Sequence, residues 1–298
     1  MENMETLHEN NKMQSRVRKN NIWKSIFFLS TLFGLVVLAI LIIRVIVQGT
    51  AWIDMDFITG RLSTTAENAG IMGAILGTLW VMVVVIPVTL IIGVGTAIYL
   101  ELYSKGGKKG KRFSSVIETN IANLAGVPSI VYGLLGLTVF VRLMDLGNVV
   151  LAGGLTLALL VLPILIVSSQ EAIRAVPGYL AEASYGMGAT KWQTIRRIIL
   201  PAALPSILTG SILALSRAIG ETAPLTVLGI PALLIPFPEG FFDTFTALPM
   251  QIYYWTIDSS LVAEYANLAA ATIIILLLIL FLLNSVAVFI RNKFQQRY

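Results

Sequence analysis

The sequence predicts an all-α integral membrane protein with six transmembrane helices. Three observations carry that expectation. Hydrophobic residues make up 56% of the chain and charged residues only 12%, where a soluble domain carries about 25% charged residues; the mean hydropathy is +0.83. Apolar runs long enough to cross a bilayer core, about 17–25 residues, recur six times. The basic residues gather in alternate gaps between those runs.

The first span is Ile26–Val47, followed by a polar segment holding Asp54, Asp56, Arg61 and Glu67. The second, Ile71–Leu100, is long enough to tilt, and Pro87 is expected to kink it. Its Gly73 and Gly77 have the four-residue spacing that suits close helix packing. The third runs over Ile121–Val141 and the fourth over Val150–Val167. The fifth is Ser206–Gly229 and the sixth Ala266–Ile290. The organisation is therefore a tail (1–25), a first helix with its outer loop (26–70), a transmembrane domain (71–290) that includes a long polar segment (169–204), and a second tail (291–298).

Of the 21 basic residues, seventeen fall on one side. The N-terminal tail holds Lys12, Arg16, Arg18, Lys19 and Lys24, and the loop after span two holds Lys105, Lys108, Lys109, Lys111 and Arg112. Arg174, Lys191, Arg196 and Arg197 lie between spans four and five, and Arg291, Lys293 and Arg297 follow span six. Arg44, Arg61 and Arg142 lie opposite, and Arg217 lies inside span five. The positive-inside rule places both termini in the cytoplasm of a multi-pass protein. The net charge of +5 is thus used by topology rather than by nucleic acid. The long apolar core after the N-terminal tail, with no small-residue cleavage site, reads as an uncleaved anchor. Absence of cysteine excludes thiol chemistry and disulfides, and a single histidine, His8, supports neither a metal site nor a catalytic triad. The turn "SKGGKKGKRFS" lacks the spacing of a phosphate-cradling loop and reads as a basic loop.

The stretch between spans four and five, "SSQEAIRAVPGYLAEASYGMGATKWQTIRRIILPAALPS", is longer than a reversal requires. It reads as two short helices broken at Gly186 and Gly188. Thr190 and Gln193 form a capping-box pattern at the start of the second, with Trp192, Ile195 and Ile199 expected on one face and Pro201 as the stop. An amphipathic hairpin on the membrane surface and a docking surface for a cytoplasmic partner both fit that pattern. "EASYGMGATKWQTIRRIILP" resembles the EAA motif of ATP-binding-cassette importer permeases, with Glu182, Ala183 and Ser184 as E-A-A and Gly188, Ile198, Leu200 and Pro201 in register. The departure is Ser184 for alanine. The resemblance implies a type I importer permease fold in which Glu182, Ala183, Ser184, Gly188, Thr190 and Pro201 belong to a cytoplasmic coupling helix held by an ATPase subunit.

In "ALSRAIGETAP", Ala214–Pro224, Arg217 and Glu221 stand four apart inside span five. Counted from Ser206 at 1.5 Å per residue, Arg217 lies roughly 16 Å deep, near the midplane of a bilayer core. Glu221 is expected one turn further on the same helical face. A neutralising pair that fixes packing and an oxyanion site lining a pathway both fit. Ionisable groups at that depth are costly and favour the second. "ALSRAIGETAPLTVLG" resembles phosphate-specific permeases, and its Thr222-Ala-Pro-Leu225 ending resembles the A-type branch. "LAGVPSIVYGLLGL" (124–137) resembles the third-span motif shared by both phosphate permeases, and "FTALPMQIYYW" (245–255) resembles the last outer loop of the A-type branch. In the former, Pro128 breaks span three, and Ser129 and Tyr132 are candidate lining groups or members of an ordinary kinked helix. Phe237, Phe241, Phe242, Tyr253, Tyr254 and Trp255 read as an interfacial belt or, as a unit, an outer gate.

The resemblance implies a substrate pathway lined by Arg217, Glu221, Ser216, Thr222 and Ser129 and a prokaryotic plasma-membrane location. It implies four partners: a homologous C-type permease, a cytoplasmic ATPase dimer carrying ATP and magnesium, an extracytoplasmic phosphate-binding protein, and phosphate itself. No cofactor and no catalysis are expected of this chain. Importers of phosphonate, sulfate or molybdate are the nearest alternatives, with a stand-alone anion carrier or a membrane scaffold further off.

Overall fold

A computed structural model describes residues 2–104, 108–231 and 236–294. Lys105 of the basic loop, residues 232–235 of the outer segment and Arg297 of the C-terminal tail lie outside the described residues. Five helices or continuous helical runs are long and apolar enough to cross a membrane, and a bent helix pair makes a sixth crossing if counted as one.

α1 (Glu2–Gly49) is a single helix. No proline interrupts it, so the expected tail and the first span form one rod about 72 Å long at 1.5 Å per residue. Residues 16–44 are all exposed. Its far end packs on α12 (Glu264–Phe294), where Gly49 lies against the backbone of Ala270 and Ala271. The polar segment that follows folds into a short α2 (Met55–Thr59), started by the Asp54 carboxylate, which accepts the Phe57 N–H at 2.7 Å.

α3 (Met72–Ile98) continues as a π-helical turn over Tyr99–Tyr103 and forms the most extensive helix pair with α6 (Val150–Arg174). Val81, Val85, Val161 and Leu165 fill the space between them. α6 runs past the expected end at Val167, so residues 169–174 belong to the helix and not to the polar segment.

Span three is not one kinked helix. α4 (Lys108–Ala125) and α5 (Ser129–Gly136, continued as a π-helix over Leu137–Leu143) meet at 107°. Gly126 and Val127 close a turn onto Asn123 and Leu124, and Pro128, at φ −58° and ψ 141°, has no N–H to carry the ladder across.

Span five also departs from expectation. After α7 (Gly178–Gly186), α8 (Lys191–Thr194), a π-helical turn (Ile195–Ile199) and α9 (Leu200–Gly220) run as one helix, Lys191–Gly220. Pro201 therefore does not stop it. The wide turn just before it shifts the hydrogen-bond register where the proline ring would meet the Arg197 carbonyl, so the helix absorbs the proline. Ile195 and Ile199 are buried against Ala97 and Ile173, whereas Trp192 is 56% exposed, so the three do not share a face. The helix ends at Gly220 and resumes as α10 (Ala223–Leu228).

The outer segment enters the core over 245–251 and at Trp255, whereas of the other aromatics expected in a belt Phe241, Phe242 and Tyr253 are exposed and Phe237 and Tyr254 half-buried. Phe245–Gln251 are all buried, and α11 (Leu248–Asp258) inserts Leu248, Met250 and Trp255 into the protein. Trp255 is 3% exposed, with its ring 6.2 Å from that of Phe57, and the Tyr254 hydroxyl donates to the Ile230 carbonyl. Phe241 and Phe242 remain exposed. Two residues of α3 hold the segment in place. Thr78 accepts the Leu248 N–H at 2.9 Å, and Gly77 leaves room for the Thr246 carbonyl, which any Cβ there would strike.

Gly77→Val is expected to destabilise the protein by about 1–3 kcal/mol, because the rigid Thr246 backbone must move. Thermal unfolding of purified protein in detergent reads this as a lowered Tm.

Candidate functional site

The first candidate site is built on two helix breaks that face each other. Pro224 sits in the first turn of α10 and has no N–H to give to Gly220, which favours the interruption of the helix seen at Glu221 and Thr222. Glu221 is extended at φ −81° and ψ 121°. It is therefore not one turn further on the same helix, as the four-residue spacing suggests. Arg217 occupies the last turn of α9, where unpaired carbonyls favour a cation.

The pair is loose. Arg217 Nε stands 3.8 Å from Glu221 Oε2, beyond the 2.7–2.9 Å of a strong charge-assisted bond. Its burial is uneven, with the arginine side chain 55% exposed and the glutamate 17%. Glu221 turns inward to a cavity of about 10 Å³, room for one water at most, beside Thr78, Met82 and Ala247. Arg217 reaches outward, and no other acidic group pairs with it among the described residues.

The opposite break supplies Tyr132. Its hydroxyl donates to the Leu124 carbonyl at 2.8 Å, bridging the bend between α4 and α5. α5 packs on α10 at Gly133, where an added Cβ would come within 2.9 Å of the Pro224 backbone. The two family-like stretches, 124–137 and 214–229, are thus in direct contact. Ser129 begins α5, half-buried, one turn before Tyr132. Thr222 is half-buried in the break beside Glu221. Ser216 is engaged elsewhere, its hydroxyl lying 2.7 Å from the Ile212 carbonyl and 2.8 Å from Asn284 Oδ1, which ties α9 to α12. The signal for Asn284 in the sequence is its place, beside Ser285, in the otherwise apolar run "LLLILFLLNSVAVF".

The second candidate site is the segment between α6 and α8. Gly188 adopts φ +82°, a conformation that disfavours other residues, and turns the chain from α7 into α8. Thr190 starts α8 with both bonds of the capping box: its hydroxyl accepts the Gln193 N–H, and Gln193 Oε1 accepts the Thr190 N–H at 2.8 Å. Ser184, the departure from E-A-A, lies 2.9 Å from the buried Thr194 hydroxyl and so ties α7 to α8. Glu182 and Ala183 face outward. Around them Tyr179, Tyr185, Met187 (89% exposed) and Trp192 form an apolar surface.

Glu101 and Tyr103, at the end of α3, carry no motif in the sequence and gain their contacts only in the fold. Glu101 is buried and takes a two-pronged ion pair from Arg174, with Nη2–Oε2 at 3.0 Å and Nε–Oε1 at 3.3 Å. Tyr103 carries the Lys191 ammonium over its ring at 4.5 Å. A carboxylate closing an apolar span, with an arginine closing another, is the signal that could have found the first pair.

A helical membrane protein with broken crossings and an exposed apolar segment between two of them is the frame in which the family likeness falls, and that likeness puts the chain in the class of transport permeases. Residues 91–298 match the family described as binding-protein-dependent transport system inner membrane component, and the chain belongs to that family. It is 36% identical over 267 residues to the phosphate transport system permease protein PstA of Mycobacterium leprae, covering 87% of this chain and 84% of that one. It is 34% identical over 181 residues to the ABC transporter permease protein YqgI of Bacillus subtilis (strain 168), where the match spans 61% of this chain and 60% of the relative. Among solved structures, a bacterial ABC transporter involved in the import of alginate superposes with a TM-score of 0.62 at 16% identity, over 96% of this chain and 100% of that chain. That likeness establishes the type I importer permease fold.

Thr190→Ala is expected to open the first turn of α8 by about 1 kcal/mol. Amide hydrogen exchange at Gln193 then speeds up roughly fivefold.

Proposed function

We propose that this chain is the A-type permease subunit of an ATP-driven importer of inorganic phosphate, passing the anion along a path shared with a homologous C-type permease. The observation that carries the reading is Arg217: a cation at the end of a broken helix, held at 3.8 Å by a carboxylate that faces inward while the guanidinium faces out. An oxyanion meeting the guanidinium at bonding distance outcompetes that contact. Glu221 then retains the arginine between passages and releases it to phosphate.

The PstA name of the Mycobacterium leprae relative supports phosphate as the substrate. The family supports an external binding protein that delivers it. The exposed segment around Glu182 and Ala183 docks a cytoplasmic ATPase dimer, which binds ATP and magnesium; this chain holds no cofactor and makes or breaks no bonds. Closure of the ATPase pulls that segment and opens the path outward, and hydrolysis resets it inward. The α7 side and both termini face the cytoplasm, a reading supported by the basic residues gathered there.

Uptake of labelled phosphate at low external concentration tests this in cells lacking the native gene. Arg217→Gln is expected to lower uptake roughly ten- to a hundredfold, the effect of losing one hydrogen-bonded charge, while the ATPase subunit stays in the membrane. Normal uptake by an assembled variant assigns Arg217 to packing instead, and competition by sulfate or molybdate assigns a broader oxyanion path.

A further inference from the structure

The segment that joins α6 to α8 is gripped at both ends by one turn of a different helix. At its entry, Arg174 closes α6 and makes the two-pronged pair with buried Glu101. At its exit, Lys191 opens α8 and lies over the ring of Tyr103. Glu101 and Tyr103 are two residues apart in the π-helical turn Tyr99–Tyr103 that ends α3. The sequence between the two gripped ends is 175–190, which holds all of the exposed coupling surface except Trp192, next to the grip at Lys191. α3 also supplies Thr78 and Gly77, which seat the buried outer segment, and Thr78 lines the small cavity next to Glu221.

We propose that the π-helical end of α3 is a clamp on the coupling segment, and that Glu101 and Tyr103 are positioning residues through which movement of that segment is delivered to the Arg217 site. The clamp rests on the functional reading above, because it needs the segment to move when the ATPase closes. α3 is the physical link. One end holds both ends of the moving segment, and the other holds the buried outer segment and the cavity of Glu221. A π-turn is suited to the task, since its wider backbone shifts register more readily than an α-helix, and such turns recur at functional sites. Arg174 also pairs with Glu171 at 3.0 Å, and Gln170 reaches Glu118 of α4 at 3.5 Å, so the entry end is set within a small charged network.

The test uses the complete importer in vesicles: both permeases, the ATPase dimer, and the binding protein with phosphate outside. Tyr103→Leu removes the ring face at a half-exposed position and leaves an apolar side chain; Tyr103→Phe keeps the face. The leucine variant is expected to lower phosphate imported per ATP hydrolysed about threefold, in line with a partly exposed cation–π contact, while the phenylalanine variant behaves as the unaltered chain. Glu101→Gln moves the ratio in the same direction. An unchanged ratio in the leucine variant overturns the clamp, as does a parallel fall in transport and hydrolysis.

Hydrogen exchange on the same samples reads the clamp without reference to the transported anion. Tyr103→Leu is expected to speed exchange across residues 178–190 about threefold relative to Tyr103→Phe, and equal exchange overturns the proposal whatever the vesicles transport. An importer that moves some other anion changes the functional reading and leaves that exchange result in force.

Discussion

In hydrocarbon every backbone N–H and C=O must find a partner within the protein, because no water is present to supply one. Unbroken helices meet that demand by themselves. This chain breaks its helices between α4 and α5, between α9 and α10 and ahead of α11, so each break needs a substitute partner. Tyr132 returns a donor to the carbonyl of Leu124 across the α4–α5 bend. Thr78 gives α11 an acceptor for its first N–H. Asn148 donates to Gly229 after α10. These side-chain bridges, together with glycines that bring backbones close enough for them to reach, make broken crossings tolerable.

The gross architecture was readable because it rests on simple quantities. Apolar run length gave the crossings, and the capping box at Thr190 and the turn at Gly188 lie where short-range pattern put them. What sequence pattern missed were effects of register and of distant contact. Pro201 is an ordinary helix stop by local rule, yet a π-turn just before it lets the helix continue. Trp192 sits at helical spacing from Ile195, but it points outward because the α3 and α6 ends cover only the isoleucine side. In the aromatic outer segment Phe241, Phe242 and Tyr253 stay exposed, as a belt requires, but the stretch 245–251 is buried, and its seating depends on Gly77 and Thr78, about 170 residues earlier in the chain.

The Arg217 site shows the same division. Its residue types and spacing were visible, whereas its geometry was set by Pro224 three residues beyond Glu221. By ending α9, that proline takes the glutamate out of helical register and turns the carboxylate inward. A pair on one continuous helix face would be tighter and more symmetrical, and the arginine less free to exchange partners. Ser216 is a corrective in the other direction. It lies next to the arginine in sequence but serves the α9–α12 contact.

α1 has a different kind of freedom. A rod with residues 16–44 exposed, seated on α12 at its far end, is restrained by length and oiliness more than by side-chain shape. Substitutions of one large aliphatic for another along that stretch leave the interior untouched. Sequence there is expected to drift more freely than in the packed crossings around Arg217. Divergence along this chain is therefore expected to follow the number of neighbours each stretch must fit, with the most rapid change in the rod that fits fewest.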